Sequence, residues 1–383
     1  MIHRFVAIDV GPGDAFFIQR GNFSALVDGG QLSGFLRRLL RATSADAVNV
    51  LVCTHNDGDH ANGVLEFLQQ GGHADECWLP ATWMEAVSRL CTASADEIES
   101  LLLDEDEVIP EQIQRDEATE ITVGELEDQL TAVLDDKFEA LRLLPIGGPW
   151  LVLPPGIWLS RRPVRVKTSI PPLLTDAFRI LDIALAATML QIPIRWFNPE
   201  DVPQGQPSFP LSVVNAREVT AIRRARLTLR GVFKLTTVNR NSLVLYSPRD
   251  SEAPGILFCA DSGFGNLSIP PADQGMIVTA PHHGSGDNEN VAVYYKLDAA
   301  CAAHQPASWL WIRSDKDCVS RPCAEYLHRP KRYCTRCRGQ TLKQPFQSVV
   351  LVGAAGTWDS QSRPCNCSGP VGPGSHVARS NRS

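Results

Sequence analysis

The sequence lacks a long apolar run that is free of charge. The longest candidate, residues 176–194, contains Asp176, Arg179 and Asp182, and charged side chains at the centre of a bilayer are costly. The first residues also lack the basic region, apolar core and small-residue cleavage site of a secretory signal. These absences count against a membrane-spanning or secreted protein, and we expect a cytoplasmic protein that does not bind membranes.

A disulfide framework is not expected either. The 11 cysteines are an odd number, and Cys53, Cys259 and Cys301 are scattered through strand-like segments. This distribution is typical of buried thiols in a reducing compartment, with room for one metal cluster near the C-terminus.

Charge is concentrated in two blocks. The net charge of −7 comes from residues 96–140, which are strongly acidic, whereas residues 141–235 carry an excess of bases. The acids alternate with Ile and Leu, which favours a solvated helical face. The basic block either binds a polyanion or pairs with the acidic block, and charge alone does not choose between them.

The chain divides into four segments. Residues 1–80 and 236–360 contain short strand patterns alternating with helix patterns, and we interpret them as two halves of one α/β domain with helices outside two sheets. Residues 81–235 are interpreted as a long, mainly helical insertion, acidic and then basic. Residues 361–383 have no acidic residue and little apolar content, which predicts a disordered tail.

The densest chemistry directly follows an apolar strand. VNVLVC is typical of a strand buried on both faces, and THNDGDHANG comes immediately after it. The candidate ligands in this segment are His55, Asp57, Asp59 and His60. Imidazole nitrogens together with carboxylate oxygens favour zinc, manganese or iron over magnesium or calcium. The first two residues can face one metal ion while the last two face a second.

Two later apolar strands also end in candidate ligands. Asp261 ends GILFCAD, and the pair His282 and His283 follows GMIVTAP. These three strand ends can converge on one metal site.

The segments described so far resemble the metallo-β-lactamase fold superfamily, and within it the ComEC-type hydrolase domain of DNA-uptake proteins. The resemblance depends on DVGPGDA, LVDGG, THNDGDHANG, NRNSLVL, CADSG and APHHGS, in the expected order. It covers residues 4–80 and about 236–355. It implies a four-layered αββα metallo-β-lactamase sandwich and hydrolysis that depends on two divalent metal ions, zinc or manganese.

The resemblance also implies roles for individual residues. Asp261 bridges the two metals, and His283 is the remaining ligand, with His282 as the close alternative. Asp59 orients the attacking water and accepts its proton, whereas His282, if it is not a ligand, donates a proton to the leaving group. Asp28 orients the histidine loop. Asp14 either supports the site in a similar way or stabilises a glycine-rich turn.

Two positions depart from the family pattern. No histidine occurs between His73 and His282, so one metal has only three protein ligands, which is enough for a catalytic metal. Arg321 stands where the branch commonly has a histidine, and arginine grips phosphate but cannot donate a proton at neutral pH. We assign Arg321 and Ser285 to substrate binding.

The late cysteines raise a separate metal question. The spacing predicts a structural zinc site with CTRC as one half, and Cys365 and Cys367 are further candidate ligands. The proposed set is Cys318, Cys323, Cys334 and Cys337. The alternative is that these thiols simply pack within strands.

The favoured function is a metal-dependent nuclease or phosphodiesterase, with nucleic acid, DNA above all, as the partner. One alternative is a hydrolase of a small ester, amide or lactam, with the insertion as a lid. Another is a catalytically impaired binding or scaffold module that keeps the fold.

Overall fold

The computed structural model describes most of the chain. The residues described are 2–31, 33–94, 97, 115–142, 172–201, 206–225, 241–265, 267, 269–270, 273–302, 309–315, 321–336, 347–365 and 367. The acidic and basic blocks are therefore described only in part.

The described residues form helices, strands and one short 3-10 turn, Pro281–Gly284. The helices are α1 (Phe35–Thr43), α2 (Gly58–Gln69), α3 (Trp83–Thr92), α4 (Val123–Arg142), α5 (Pro172–Met189), α6 (Asn288–Ala302) and α7 (Ala324–Leu327). The strands are β1 (His3–Ala7), β2 (Phe16–Arg20), β3 (Phe23–Val27), β4 (Ala47–Val52), β5 (His73–Pro80), β6 (Arg115–Thr122), β7 (Ile194–Asn198), β8 (Ser212–Val213), β9 (Arg217–Val219), β10 (Ala221–Ala225), β11 (Leu245–Ser247), β12 (Ile256–Phe258), β13 (Ile277–Thr279), β14 (Leu310–Arg313), β15 (Arg332–Cys334), β16 (Val349–Ala354) and β17 (Thr357–Ser360). Among the described helices, none is both long and apolar enough to cross a membrane.

Two large sheets form the centre of the molecule. One has nine strands in the order β17-β16-β1-β2-β3-β4-β5-β7-β9, and the other has six in the order β15-β14-β13-β12-β11-β8. Strands β6 and β10 form a separate pair. In the nine-stranded sheet β3, β4, β5 and β7 run parallel, and in the six-stranded sheet β12 to β15 run parallel.

Three apolar clusters define the layers. One lies between helices α1 to α5 and the nine-stranded sheet, a second between the two sheets, and a third between the six-stranded sheet and α6 with α7. This αββα order confirms the predicted fold class. The insertion also contributes to both sheets, because β7 and β9 extend the larger sheet and β8 extends the smaller one.

Strand β4 shows why residues 50–53 are apolar throughout, although Asn49 precedes them. Val50 and Val52 belong to the cluster between the sheets, whereas Leu51 and Cys53 belong to the cluster under the helices. Side chains alternate between the two faces of a strand, so a strand covered on both faces needs an unbroken apolar run. The chain that leaves this buried strand is therefore held from both sides.

Helix α2 follows at once and packs very close to the glycines after β3. A Cβ added to Gly63 would lie 2.0 Å from the Gly29 carbonyl oxygen. The backbone N–H of Gly29 donates to the His60 carbonyl over 2.8 Å. This close approach holds the first turn of α2, which carries two of the candidate ligands, against the loop after β3.

Candidate metal centre

The predicted ligands converge where strands β4, β12 and β13 end. Asp261 lies at the centre of the group, with one carboxylate oxygen facing each side. Its Oδ1 lies 3.5 Å from His60 Nε2 and 3.6 Å from His283 Nε2. Its Oδ2 lies 3.6 Å from His55 Nε2. These four side chains are buried, so the structure brings together residues more than 200 positions apart in the chain.

One side of Asp261 forms the first group of donors. The Nε2 atoms of His60 and His283 lie 3.0 Å apart, and Asp59 Oδ2 lies 3.4 Å from His283 Nε2. Two histidine nitrogens bound to one tetrahedral zinc ion lie about 3.3 Å apart, given a Zn–N distance of about 2.0–2.1 Å. The spacing of the two rings is therefore close to that of a shared cation.

The other side of Asp261 forms the second group. Asp57 Oδ2 lies 3.8 Å from His55 Nε2, and the ligand atoms of His55, Asp57 and Asp261 all lie within 4.8 Å of one another. His282 stands beside this group, with Nε2 3.2 Å from Asp261 Oδ2. Asp261 is thus the one carboxylate placed between both groups.

An outer layer of hydrogen bonds orients the histidines of the loop after β4. Asp28 Oδ2 accepts hydrogen bonds from His60 Nδ1 over 2.8 Å and from Thr54 Oγ1 over 2.7 Å. Because Thr54 Oγ1 donates its proton to Asp28, it accepts from His55 Nδ1 over 3.0 Å. Asp28 therefore directs the free Nε2 lone pairs of both His55 and His60 toward Asp261, as a metal site requires.

Asp14 does the same for the later histidine. His283 Nδ1 donates to Asp14 Oδ1 over 3.0 Å, and both side chains are buried. Asp14 also belongs to the group that includes His60, Asp261 and His283. Its contact with the outer ring nitrogen leaves His283 Nε2 facing the donor cluster.

Unpaired buried atoms test whether a cation fits. Within the described residues, His55 Nε2 and Asp261 Oδ1 are buried and have no hydrogen-bond partner. Leaving such atoms unpaired costs roughly 1–3 kcal/mol each. A bound cation accepts electron pairs from both atoms and removes that cost, so the donor set fits a metal ion.

Three residues around the donor cluster have an unusual backbone conformation. Asp28, His282 and His283 have positive φ angles of 58°, 43° and 53°, a left-handed region that non-glycine residues rarely adopt. Such strain persists where the surrounding structure demands it, most often at functional sites. Here it aims all three side chains into the cluster.

One segment near the start of the chain matches a known protein family. Residues 8–77 match the metallo-β-lactamase superfamily. The match runs from the end of β1 through most of β5 and includes Asp14, Asp28 and the loop after β4. A search of curated proteins finds no match. The αββα layers agree with the metallo-β-lactamase sandwich.

Protonation of the histidines depends on the neighbouring carboxylates. Burial lowers the pKa of His283, but the charges of Asp14 and Asp261 outweigh it and raise the pKa to about 9. The pKa of His60 is likewise raised, against burial, by Asp261 and Asp28. Burial alone would raise the pKa of Asp261. The charges of His283, His60 and His55 outweigh burial and hold this pKa well below its usual value. Without a metal, the imidazole rings of His60 and His283 therefore carry positive charge at neutral pH.

Metal binding should therefore release protons. At pH 7 the cation displaces at least about one proton from the pair His60 and His283, because a metal binds the neutral imidazole. A raised histidine pKa means that affinity for the metal rises with pH until about 9, where His283 loses its proton unaided. Zinc titration by calorimetry in buffers of different ionisation enthalpy measures this release. Proton release of zero at pH 7, or affinity independent of pH between 6 and 9, contradicts the expected charge state.

Replacing Asp28 with asparagine tests the outer layer. Asparagine tolerates the left-handed backbone at this position, but Asp28 accepts hydrogen bonds with both oxygens, Oδ1 from the Thr54 N–H and Oδ2 from Thr54 Oγ1 and His60 Nδ1. Asparagine has one acceptor oxygen, so its NH₂ group would face at least one of these donors. We expect metal affinity to fall roughly 10–100-fold, measured by competition with a chromophoric chelator. Thr54→Val is the matched variant, since it breaks only the link to His55 and should weaken one metal more than the other. Unchanged affinity in Asp28→Asn would remove Asp28 from the site.

The predicted substrate-binding residues lie beside the centre. Arg321, a quarter exposed, places Nη1 3.2 Å from Asp315 Oδ2, and the backbone N–H of Cys323 donates to the Gly284 carbonyl over 2.8 Å. Ser285 donates its hydroxyl to Asp287 over 3.0 Å. Arg321 therefore stands next to the histidine turn, while the Ser285 hydroxyl is already engaged.

The predicted cysteine set lies only partly within the described residues and stays a prediction. Cys318 and Cys337 lie outside the described residues. Cys323 is the N-cap of α7, whereas Cys334 clusters with Cys365 and Cys367 among the described residues.

Sequence reasoning missed a contact from the insertion. Arg179, on α5, is buried and donates to the backbone carbonyl of Asn56, and Asn56 Nδ2 donates to the Asp176 carbonyl over 2.8 Å. The insertion thus braces the loop after β4. The sequence did contain a sign of this contact, because charged residues interrupt an otherwise apolar helix. That pattern argues against a membrane span, and it is equally typical of a helix with a buried ionic contact.

Proposed function

We propose that this protein is a metal-dependent hydrolase that cleaves phosphodiester bonds, with DNA as its substrate class. The observation that carries the proposal is Asp261, shared between two groups of histidine and carboxylate donors. The superfamily match supports metal-dependent hydrolysis. The resemblance to the ComEC-type domain, together with Arg321 at the edge of the centre, supports a phosphodiester.

The residues would hold two divalent ions, zinc or manganese. His60, His283, Asp59 and Asp261 would hold the first ion, and His55, Asp57 and Asp261 would hold the second. When bound, such a pair makes water more acidic and neutralises negative charge on a phosphate. Low-dielectric surroundings strengthen this effect, since most of these donors are buried.

Asp59 is the group that receives the proton of the attacking water. Its side chain is 23% exposed, so it contacts both the cluster and solvent. Burial alone would raise its pKa, but His60 and His283 lower it below the usual value. Asp59 is therefore ionised at neutral pH and accepts a hydrogen bond from water, which orients the water toward the substrate.

His282 is the group placed to donate a hydrogen bond from Nε2–H to the leaving oxygen. Asn290 Nδ2 donates to His282 Nδ1 over 2.9 Å and also to the Asp287 carboxylate. Asp287 keeps the Asn290 amide in this orientation, because the reversed amide would place two oxygens in contact. His282 Nδ1 is thus an acceptor, and in the neutral ring the proton stays on Nε2. The side chain is 28% exposed and can reach a substrate.

A direct assay tests the proposed reaction. The chelated protein is reloaded with manganese or zinc and incubated with labelled single-stranded and double-stranded DNA, an aryl phosphodiester, an aryl ester and a chromogenic lactam. We expect DNA and the phosphodiester to be cleaved only after reloading. Turnover of the ester or lactam without phosphodiester cleavage would instead support a small-molecule hydrolase. Metal retention without any turnover would support a binding module.

A further inference from the structure

A second cluster of metal-binding side chains lies away from the centre, where the two sheets end. Strand β15 is the outermost strand of the six-stranded sheet, and β17 is the outermost strand of the nine-stranded sheet. After β17 the chain crosses to β15, and the backbone N–H of Cys365 donates to the Arg332 carbonyl over 2.8 Å. This crossing brings Cys365 and Cys367 to Cys334.

The three sulfur atoms are arranged as metal ligands are. Cys334 Sγ lies 3.3 Å from Cys365 Sγ and 3.9 Å from Cys367 Sγ, and the last two lie 3.3 Å apart. A disulfide needs a separation of about 2.05 Å. Thiolates bound tetrahedrally to one zinc lie about 3.8 Å apart, given a Zn–S distance of about 2.3 Å. The triangle of sulfurs is close to the second geometry and far from the first.

The surroundings favour a structural site rather than a reactive thiol. Cys334 and Cys367 are each 4% exposed. The Tyr326 hydroxyl lies 3.2 Å from the Tyr333 carbonyl oxygen and 3.4 Å from Cys334 Sγ, so it can donate its proton to a metal-bound thiolate only by giving up its hydrogen bond to the carbonyl. Structural zinc sites are closed and rich in cysteine.

We propose that Cys334, Cys365 and Cys367 bind one zinc ion that clamps the chain after β17 onto β15. This site is independent of the proposed hydrolase function and shares no ligand with the centre around Asp261. Among the described residues, these three cysteines supply three of the four protein ligands of a structural zinc site.

The clamp also supports the wall of the centre. Directly after Cys334, the Thr335 N–H donates to the Arg313 carbonyl over 3.0 Å, and Arg336 pairs with Asp9 in the first glycine-rich loop. Arg313 in turn donates to the His283 carbonyl over 2.7 Å. Loss of the zinc should therefore loosen the end of β15 and lower thermal stability without removing a ligand of the centre.

Cobalt substitution of the full chain tests the proposal. Cobalt bound to thiolates gives an intense charge-transfer band that histidine and carboxylate ligands do not give. We expect this band in the wild type and its loss in Cys365→Ser/Cys367→Ser, together with about one fewer zinc per chain, as a single closed site requires. Cys323→Ser is the matched control and should keep both the band and the zinc. Loss of the band in Cys323→Ser with its retention in the double variant would overturn the proposed ligand set.

A measurement on the wild type covers the case of a variant that does not fold. X-ray absorption at the zinc edge should show sulfur ligands at about 2.3 Å. Zinc with nitrogen and oxygen ligands only would overturn the proposal. So would mass-spectrometric detection of a disulfide between Cys334 and Cys365 in the freshly isolated protein.

Discussion

Replacing Asp261 with alanine is expected to abolish hydrolysis, lowering kcat/KM roughly 10³-fold or more. The carboxylate lies within 3.6 Å of His55, His60 and His283, so its loss removes a ligand from both groups at once. It also removes one of the charges that raise the pKa of His60 and of His283, so these rings hold a proton less strongly.

Metal content and the rate of hydrolysis together test this prediction. Atomic absorption after dialysis should show fewer metal equivalents in Asp261→Ala than in the wild type. Asp298→Ala is the matched control, because Asp298 pairs with Arg329 at the surface, and it should leave both metal content and rate unchanged. An Asp261→Ala protein that keeps two metals and full activity would exclude Asp261 as the shared ligand.

Replacing His282 with alanine is expected to lower kcat roughly 10²–10³-fold on DNA while leaving the metal content intact. The reason is that its Nε2–H, held there by Asn290 acting on Nδ1, donates a hydrogen bond that stabilises the negative charge on a poor leaving group. An aryl phosphodiester has a leaving group that departs without a proton. The loss should therefore be much smaller on the aryl substrate than on DNA.

The same comparison separates a hydrogen-bond donor from a metal ligand. If His282 binds a metal, His282→Ala loses metal and is impaired equally on both substrates. Asn290→Ala tests positioning. It keeps the His282 ring but no longer fixes which ring nitrogen carries the proton. We expect a smaller fall in kcat and an altered pH dependence of kcat on DNA, measured between pH 6 and 9. Identical pH profiles for wild type and Asn290→Ala would leave Asn290 without a role in proton placement.

Much of the centre could be predicted from the sequence because it is encoded locally. An unbroken apolar strand followed by a dense run of histidine and aspartate is visible in a single segment, and His55 and His60 come from it. Asp261 and His283 were found because two more apolar strands end in the same way. In each case the strand and its polar end are neighbours in the chain.

The outer layer was only partly predictable. Asp28 and Asp14 were placed near the histidines by the family resemblance. Their hydrogen-bond partners, and the link through Thr54, depend on side-chain contacts that no spacing encodes. The brace from Arg179 likewise depends on how α5 packs against the loop after β4.

The cysteines show the limit most clearly. Spacing along the chain grouped Cys323 and Cys334 with cysteines that lie outside the described residues. The tertiary structure instead groups Cys334 with Cys365 and Cys367, because the chain after β17 crosses from the edge of one sheet to the edge of the other.

By itself the sequence determined the layered α/β architecture and the set of donors that follow the strands, because strand periodicity and strand ends are local properties. Only the tertiary structure decided which donors share Asp261, which nitrogen of each histidine faces inward, and which cysteines meet. Those outcomes depend on sheet order and crossing connections, where residues far apart in the chain are brought within hydrogen-bond distance.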